Sequence, residues 1–191
     1  MQILRNVFKR KLRVILTISG EQSLGHYTLA ATLSSGILFV SAVIAQQFYP
    51  RMAHELGRTG ATRRLRKLGF QQSILAAAVV LPVAGLLILL SPWAIPAFFP
   101  RYRDAVVPLQ ILSIAYLLLT ASGGFTNLLV AVGRAWEVLI LQAVAVVVDV
   151  VLAVILLQSG SGTGGVAIAA LVAYSLMLLV AWALAWRATR G

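Results

Sequence analysis

One carboxylate stands where carboxylates are costly. Asp149 lies inside the apolar run Leu139–Ile155. An ionisable side chain in the middle of a membrane-crossing helix costs roughly 2.5–3.5 kcal/mol on insertion scales, so it must face protein or a wetted cavity. Gln142, seven residues earlier, falls on nearly the same helical face as Ala145 and Asp149. Two readings stay open. In one, Asp149 faces a cavity and takes part in cation or proton coupling or in hydrating a substrate. In the other, it is a protonated or hydrogen-bonded carboxyl packed between helices.

Thr120, Gly123 and Asn127 recur at helical spacing in a stretch that also holds Ser122, Gly124 and Thr126. Small and polar residues so placed let helices approach closely and bond across the contact, or else line a polar cavity wall. Gly123-Gly124 is also a candidate bend, as are Pro82 and Pro108. His26 and Tyr27, together with Arg101, Tyr102, Arg103 and Asp104, form a candidate anionic-headgroup site, because a planar guanidinium offers paired, charge-assisted hydrogen bonds to a diphosphate. The competing reading makes these residues interfacial anchors, as Gln46 and Gln47 are read to be. The run Arg63, Arg64, Arg66 and Lys67 reads as a topology determinant in contact with anionic lipid.

Enzyme constellations do not emerge. No paired carboxylates accompany a nucleophile, no glycine-rich phosphate loop precedes a lysine, and no Ser-His-Asp set is present. Five acidic residues in 191 leave little for an active site, so neither catalysis nor a cofactor is expected. There is no cysteine, and His26 and His54 lie 28 positions apart without a carboxylate in ligand spacing, so no metal site is expected either.

The elements that position these residues follow from composition. The chain is 60% apolar and 11% charged, with a mean hydropathy of +0.93, unlike a soluble domain with about a quarter of its residues charged. The reading is an all-α, polytopic transmembrane bundle. Five spans are expected, at residues 24–48, 73–90, 105–132, 136–157 and 164–186, plus a basic interfacial helix in the first connection, residues 50–68. Residues 91–104, with three prolines and four aromatics, read as an irregular loop at headgroup level. Gly133-Arg134 reads as a tight turn, and residues 158–163 as a flexible link. The formal charge of +11 sits mostly in short connections, which points to lipid headgroups rather than to nucleic acid.

Residues 1–23 form a basic segment whose apolar run, Val14–Ile18, is too short to span and lacks a cleavage site. With five crossings, this segment and the first connection fall on opposite faces. Placing the first connection inside leaves nine basic residues in the cytoplasm and seven outside, a poor match to the positive-inside tendency. A further span before residue 24, largely missing here, would resolve the conflict, which is a first hint of truncation.

Several stretches together resemble the Wzx-type flippases of lipid-linked oligosaccharides, within the superfamily of the multidrug and toxin extruders. They are Arg13–Ala30, Gln46–Met52, Phe98–Leu112, Asn127–Arg134 and Gly164–Ala169. The resemblance implies about twelve or more helices in two bundles around a central cavity, carrying a polyprenyl-diphosphate-linked glycan across the bacterial inner membrane for O-antigen, exopolysaccharide or capsule assembly. This chain is similar to the second bundle, with residues 13–20 ending a preceding helix and the C-terminus in the cytoplasm. The implied partners are membrane lipids, the lipid-linked glycan, a missing N-terminal bundle or second subunit, and polymerase or other assembly proteins. Asp149, Gln142, Asn127, Thr120, Arg101, Arg103 and His26 are the substrate or cavity candidates. A multidrug or ion-coupled extruder half and a non-transporting scaffold for glycan-assembly enzymes are the alternatives.

Overall fold

Away from water, a backbone must satisfy its own polar groups, and an α-helix does so within a single segment. In the computed structural model every apolar stretch is helical. The structure describes the backbone of residues 2–59 and 62–189, and the side chains of residues 25–58 and 64–189. Among the described residues the order is α1 (Gln2–Thr59), α2 (Thr62–Phe98), a short 3-10 helix (Pro100–Ala105), α3 (Val106–Ala131), α4 (Ala135–Gln158) and α5 (Gly162–Ala188). Five of these segments are long and apolar enough to cross a bilayer: Gly25–Arg58, Arg64–Phe98, Pro100–Ala131, Ala135–Gln158 and Gly162–Ala188. The protein is a multi-pass, all-α membrane bundle.

Two glycines close the helical hairpins. Gly133 (φ +82°) and Gly160 (φ +83°) take the left-handed conformation that Cβ-bearing residues avoid. Around each, the next residue's N–H reaches back to a carbonyl of the last turn: Arg134 to Leu129 at 2.8 Å, and Ser161 to Leu156 at 3.1 Å. Gly133 N–H meets the Val130 carbonyl and Gly160 N–H that of Leu157, both at 3.1 Å, which completes a Schellman motif at each end. Both the α3–α4 and the α4–α5 connections are therefore defined turns, including the segment expected to be a flexible link.

The bundle packs small side chains inward and large ones outward. On α5, Val166, Ala169, Ala170, Ala173, Met177, Ala181 and Ala185 are buried, whereas Ile168, Val172, Leu176 and Leu179 are exposed. Lipid tails are as apolar as leucine, so burying large aliphatics gains little; close backbone approach through small residues gains dispersion contacts. α2 and α3 approach closely: a Cβ on Gly124 would overlap the Gly69 carbonyl oxygen and the Ser73 side chain. α3 is the central helix, packed on α1, α2 and α5, while α4 leans chiefly on α5.

Three further expectations change. The first connection is not a separate interfacial helix: residues 51–59 extend α1 and residues 62–68 begin α2. Its apolar residues face the bundle rather than the membrane surface, with Met52 and Leu65 fully buried and Leu68 packed beside them. Residues 91–98 are helical despite Pro92 and Pro96, so only the 3-10 helix and its flanks depart from α-helix in the second connection. Pro92 brings no N–H to the Ile88 carbonyl four residues back, and Gln110 of α3 and Ser91 Oγ donate to it instead, each at 3.1 Å. Gly123-Gly124 does not break α3, which runs uninterrupted from Val106 to Ala131; Gly124 serves close packing on α2. Pro108 sits in the first turn of α3, where an N–H would lack an intrahelical partner anyway.

Candidate intramembrane site

Asp149 belongs to the buried stripe of α4 formed by Val138, Leu141, Ala145, Asp149, Ala153 and Leu157. It is 7% exposed, enclosed by the bundle rather than open to its surface. The helices around it each bring a tyrosine. Tyr27 of α1 is buried, and Tyr116 of α3 and Tyr174 of α5 are partly buried and packed on the same cluster. All three lie close enough to Asp149 to interact with its charge. The Tyr116 and Tyr174 rings stack with centroids 6.1 Å apart and planes inclined by 29°. Helices α1, α3 and α5 thus each place a tyrosine within electrostatic range of the Asp149 carboxyl on α4.

The tyrosines are the part of this site that sequence reasoning passed over. By sequence Tyr27 falls among the headgroup candidates, and Tyr116 and Tyr174 belong to no motif. A signal did exist: a tyrosine deep in an apolar span carries an O–H that needs a partner at that depth, unlike one at an interface.

Other candidates fall in different places. Gln142 is exposed on the outside of α4, because the buried stripe runs through Leu141, and at that level α4 has a neighbour only on that side. Asn127 donates from Nδ2 to Gln72 Oε1 at 3.2 Å, bonding α3 to the buried Gln72 of α2 beside the Gly69–Gly124 crossing. Thr120 is buried, and its hydroxyl makes no hydrogen bond among the described residues; the same holds for Ser73 Oγ on α2. The helix-packing reading therefore describes Asn127, Gly124 and Ser73.

At the end of the bundle that holds the 3-10 helix, His26 acts as a clamp. Its Nε2 donates to the Arg101 carbonyl at 3.1 Å, its Nδ1 lies 3.9 Å from Asp104 Oδ2, and its ring meets that of Tyr102 edge-on at 5.6 Å. The Arg101 and Arg103 side chains are exposed. At the opposite end, Arg64 of α2 reaches Glu55 Oε1 of α1 at 3.0 Å, tying the α1–α2 hairpin together, while Arg58 reaches Glu55 Oε2 at 3.4 Å within α1. Arg66 lies over the Trp186 ring, and Lys67 is exposed; the Arg63 side chain lies outside the described residues. No three His, Asp or Glu side chains converge among the described residues. Comparison of the chain with protein-family models, curated proteins and solved structures gives no match, so the chemistry of its own residues carries the functional reading.

Proposed function

We propose that the chain is one bundle of a transporter that moves a polyprenyl-diphosphate-linked oligosaccharide across the bacterial inner membrane for polysaccharide assembly, with its C-terminus in the cytoplasm. The observation that most supports this is the burial of Asp149 inside a membrane bundle, with Tyr27, Tyr116 and Tyr174 of three other helices in electrostatic range. A buried intramembrane carboxyl is a functional residue by default, because a purely structural contact would be cheaper without the charge. Ionised, Asp149 accepts hydrogen bonds from the phenols or holds a monovalent cation with them; protonated, it ceases to draw them in. A change of occupancy at this point alters how α1, α3, α4 and α5 pack, which is the kind of bias that alternating access between two bundles needs. The glycan and diphosphate would travel between this bundle and a second one, with the prenyl tail in lipid, and no bond of the substrate is broken.

The test is Asp149→Asn in the complete transporter, with glycan export and membrane protein level both measured. Export is expected to fall at least tenfold at an unchanged protein level, and Tyr116→Phe with Tyr174→Phe to fall part of the way. Normal export in Asp149→Asn would remove the coupling role. Intact export with loss of cation-dependent drug efflux would assign the bundle to a drug extruder instead.

A further inference from the structure

At the end opposite the 3-10 helix, α2, α3 and α5 leave a groove of about 640 Å³ between them. Its lining has two halves of different chemistry. Arg64, Arg66 and Lys67 line one part, and Phe70, Phe125, Trp182, Ala185 and Trp186 the other. Phe70 and Phe125 stand with ring centroids 6.5 Å apart, and Trp182 and Trp186 at 6.2 Å, so each wall is an aromatic pair. Phe70 and Trp182 are each about half exposed, which opens the groove sideways toward the lipid-facing flank of the bundle.

The basic half is only partly neutralised. Arg64 shares Glu55 with Arg58, whereas Arg66 is held by a cation–π contact with Trp186 at 4.3 Å and Lys67 is exposed. Among the described residues, no acidic side chain lines the groove itself. A cation over an indole face keeps its N–H edges available to a second acceptor, and a planar guanidinium suits a phosphate. We propose that this groove holds one anionic phospholipid, its phosphate between Arg66 and Lys67 and one acyl chain along Phe70, Phe125 and Trp182. The occupant is a lipid rather than a soluble anion because most of the lining is apolar and opens toward the acyl region. It is an anionic lipid rather than a zwitterionic one because a choline headgroup would bring its own cation against Arg66 and Lys67.

Tryptophan quenching by brominated lipid reads this directly. In the full chain carrying Trp93→Phe and Trp136→Phe, two exposed positions outside the groove, only Trp182 and Trp186 report. The protein is reconstituted in phosphatidylcholine vesicles with increasing fractions of brominated phosphatidylglycerol or brominated phosphatidylcholine. Brominated phosphatidylglycerol is expected to associate at least about fivefold more strongly at low salt, the preference that one nearby cation supplies. That preference should fall toward unity at about 1 M salt, where the screening length is ~3 Å. Arg66→Gln with Lys67→Gln should abolish it. Equal quenching by the two lipids, or a preference untouched by salt, would overturn the proposal, and the salt series needs no groove variant. Full displacement of the anionic preference by millimolar inorganic phosphate would assign the cations to a soluble anion and overturn it as well.

Discussion

Replacing Gly124 with alanine should damage this bundle, whereas the same replacement at Gly85 should not. Both glycines lie in membrane-spanning helices, and both substitutions remove backbone freedom from the unfolded chain, worth about 0.5–1 kcal/mol in favour of folding. The surroundings differ. A Cβ at Gly85 meets nothing within 4 Å. One at Gly124 overlaps the Gly69 carbonyl oxygen and the Ser73 side chain and lies 2.8 Å from the Ser73 nitrogen. Because two of those neighbours are backbone atoms of α2, they cannot rotate aside, and the helices must separate. Overpacking of this kind costs typically about 1–3 kcal/mol, and separation also strains the Asn127–Gln72 bond next to the crossing. Gly124→Ala should therefore lie about 1–3 kcal/mol below Gly85→Ala when both are unfolded reversibly from mixed micelles by increasing dodecyl sulfate. Equal midpoints for the two variants would refute a close α2–α3 crossing. A stabilised Gly124→Ala would do so more strongly.

The hydrogen bond from Gln110 to the Ile88 carbonyl exists because Pro92 cannot make the helical one. Gln110→Ala should cost about 1 kcal/mol in the parent chain and distinctly less in a Pro92→Ala background, where the restored N–H serves Ile88; a double-mutant cycle with no coupling would contradict this. The natural chain has no cysteine, which makes single-cysteine labelling clean. Arg103→Cys and Ser159→Cys should react with a membrane-impermeant maleimide from one side of the bilayer, and Arg58→Cys and Gly133→Cys from the other. Labelling of all four from the same side would break the five-crossing topology.

The crossing segments could be read from residue types alone, since runs of apolar residues long enough for a bilayer leave the backbone no alternative to a helix. The last three spans expected from hydropathy differ from α3, α4 and α5 by two residues or fewer at each end. The Gly133 turn was also local information, because a glycine that follows a helix and precedes a charged residue ends the helix by its own conformational freedom. Even the cost of placing Asp149 in an apolar helix needed no neighbours to be noticed.

Where a chain's side chains point, and what they meet, depended on the other helices. Periodicity on an isolated helix puts Gln142 within about 20° of Asp149, yet α4 packs along Leu141, Ala145 and Asp149 and leaves Gln142 outside. Pro92 reads as a helix breaker until Gln110, 22 residues from Ile88 in sequence, supplies the missing donor to its carbonyl. Leu65 and Leu68 look like one face of an interfacial helix, but the folded hairpin packs them with Met52 into its core. The gathering of Tyr27, Tyr116 and Tyr174 about Asp149 joins residues up to 147 positions apart. No local pattern encodes such a meeting, because it is set by which small residues let which helices come close.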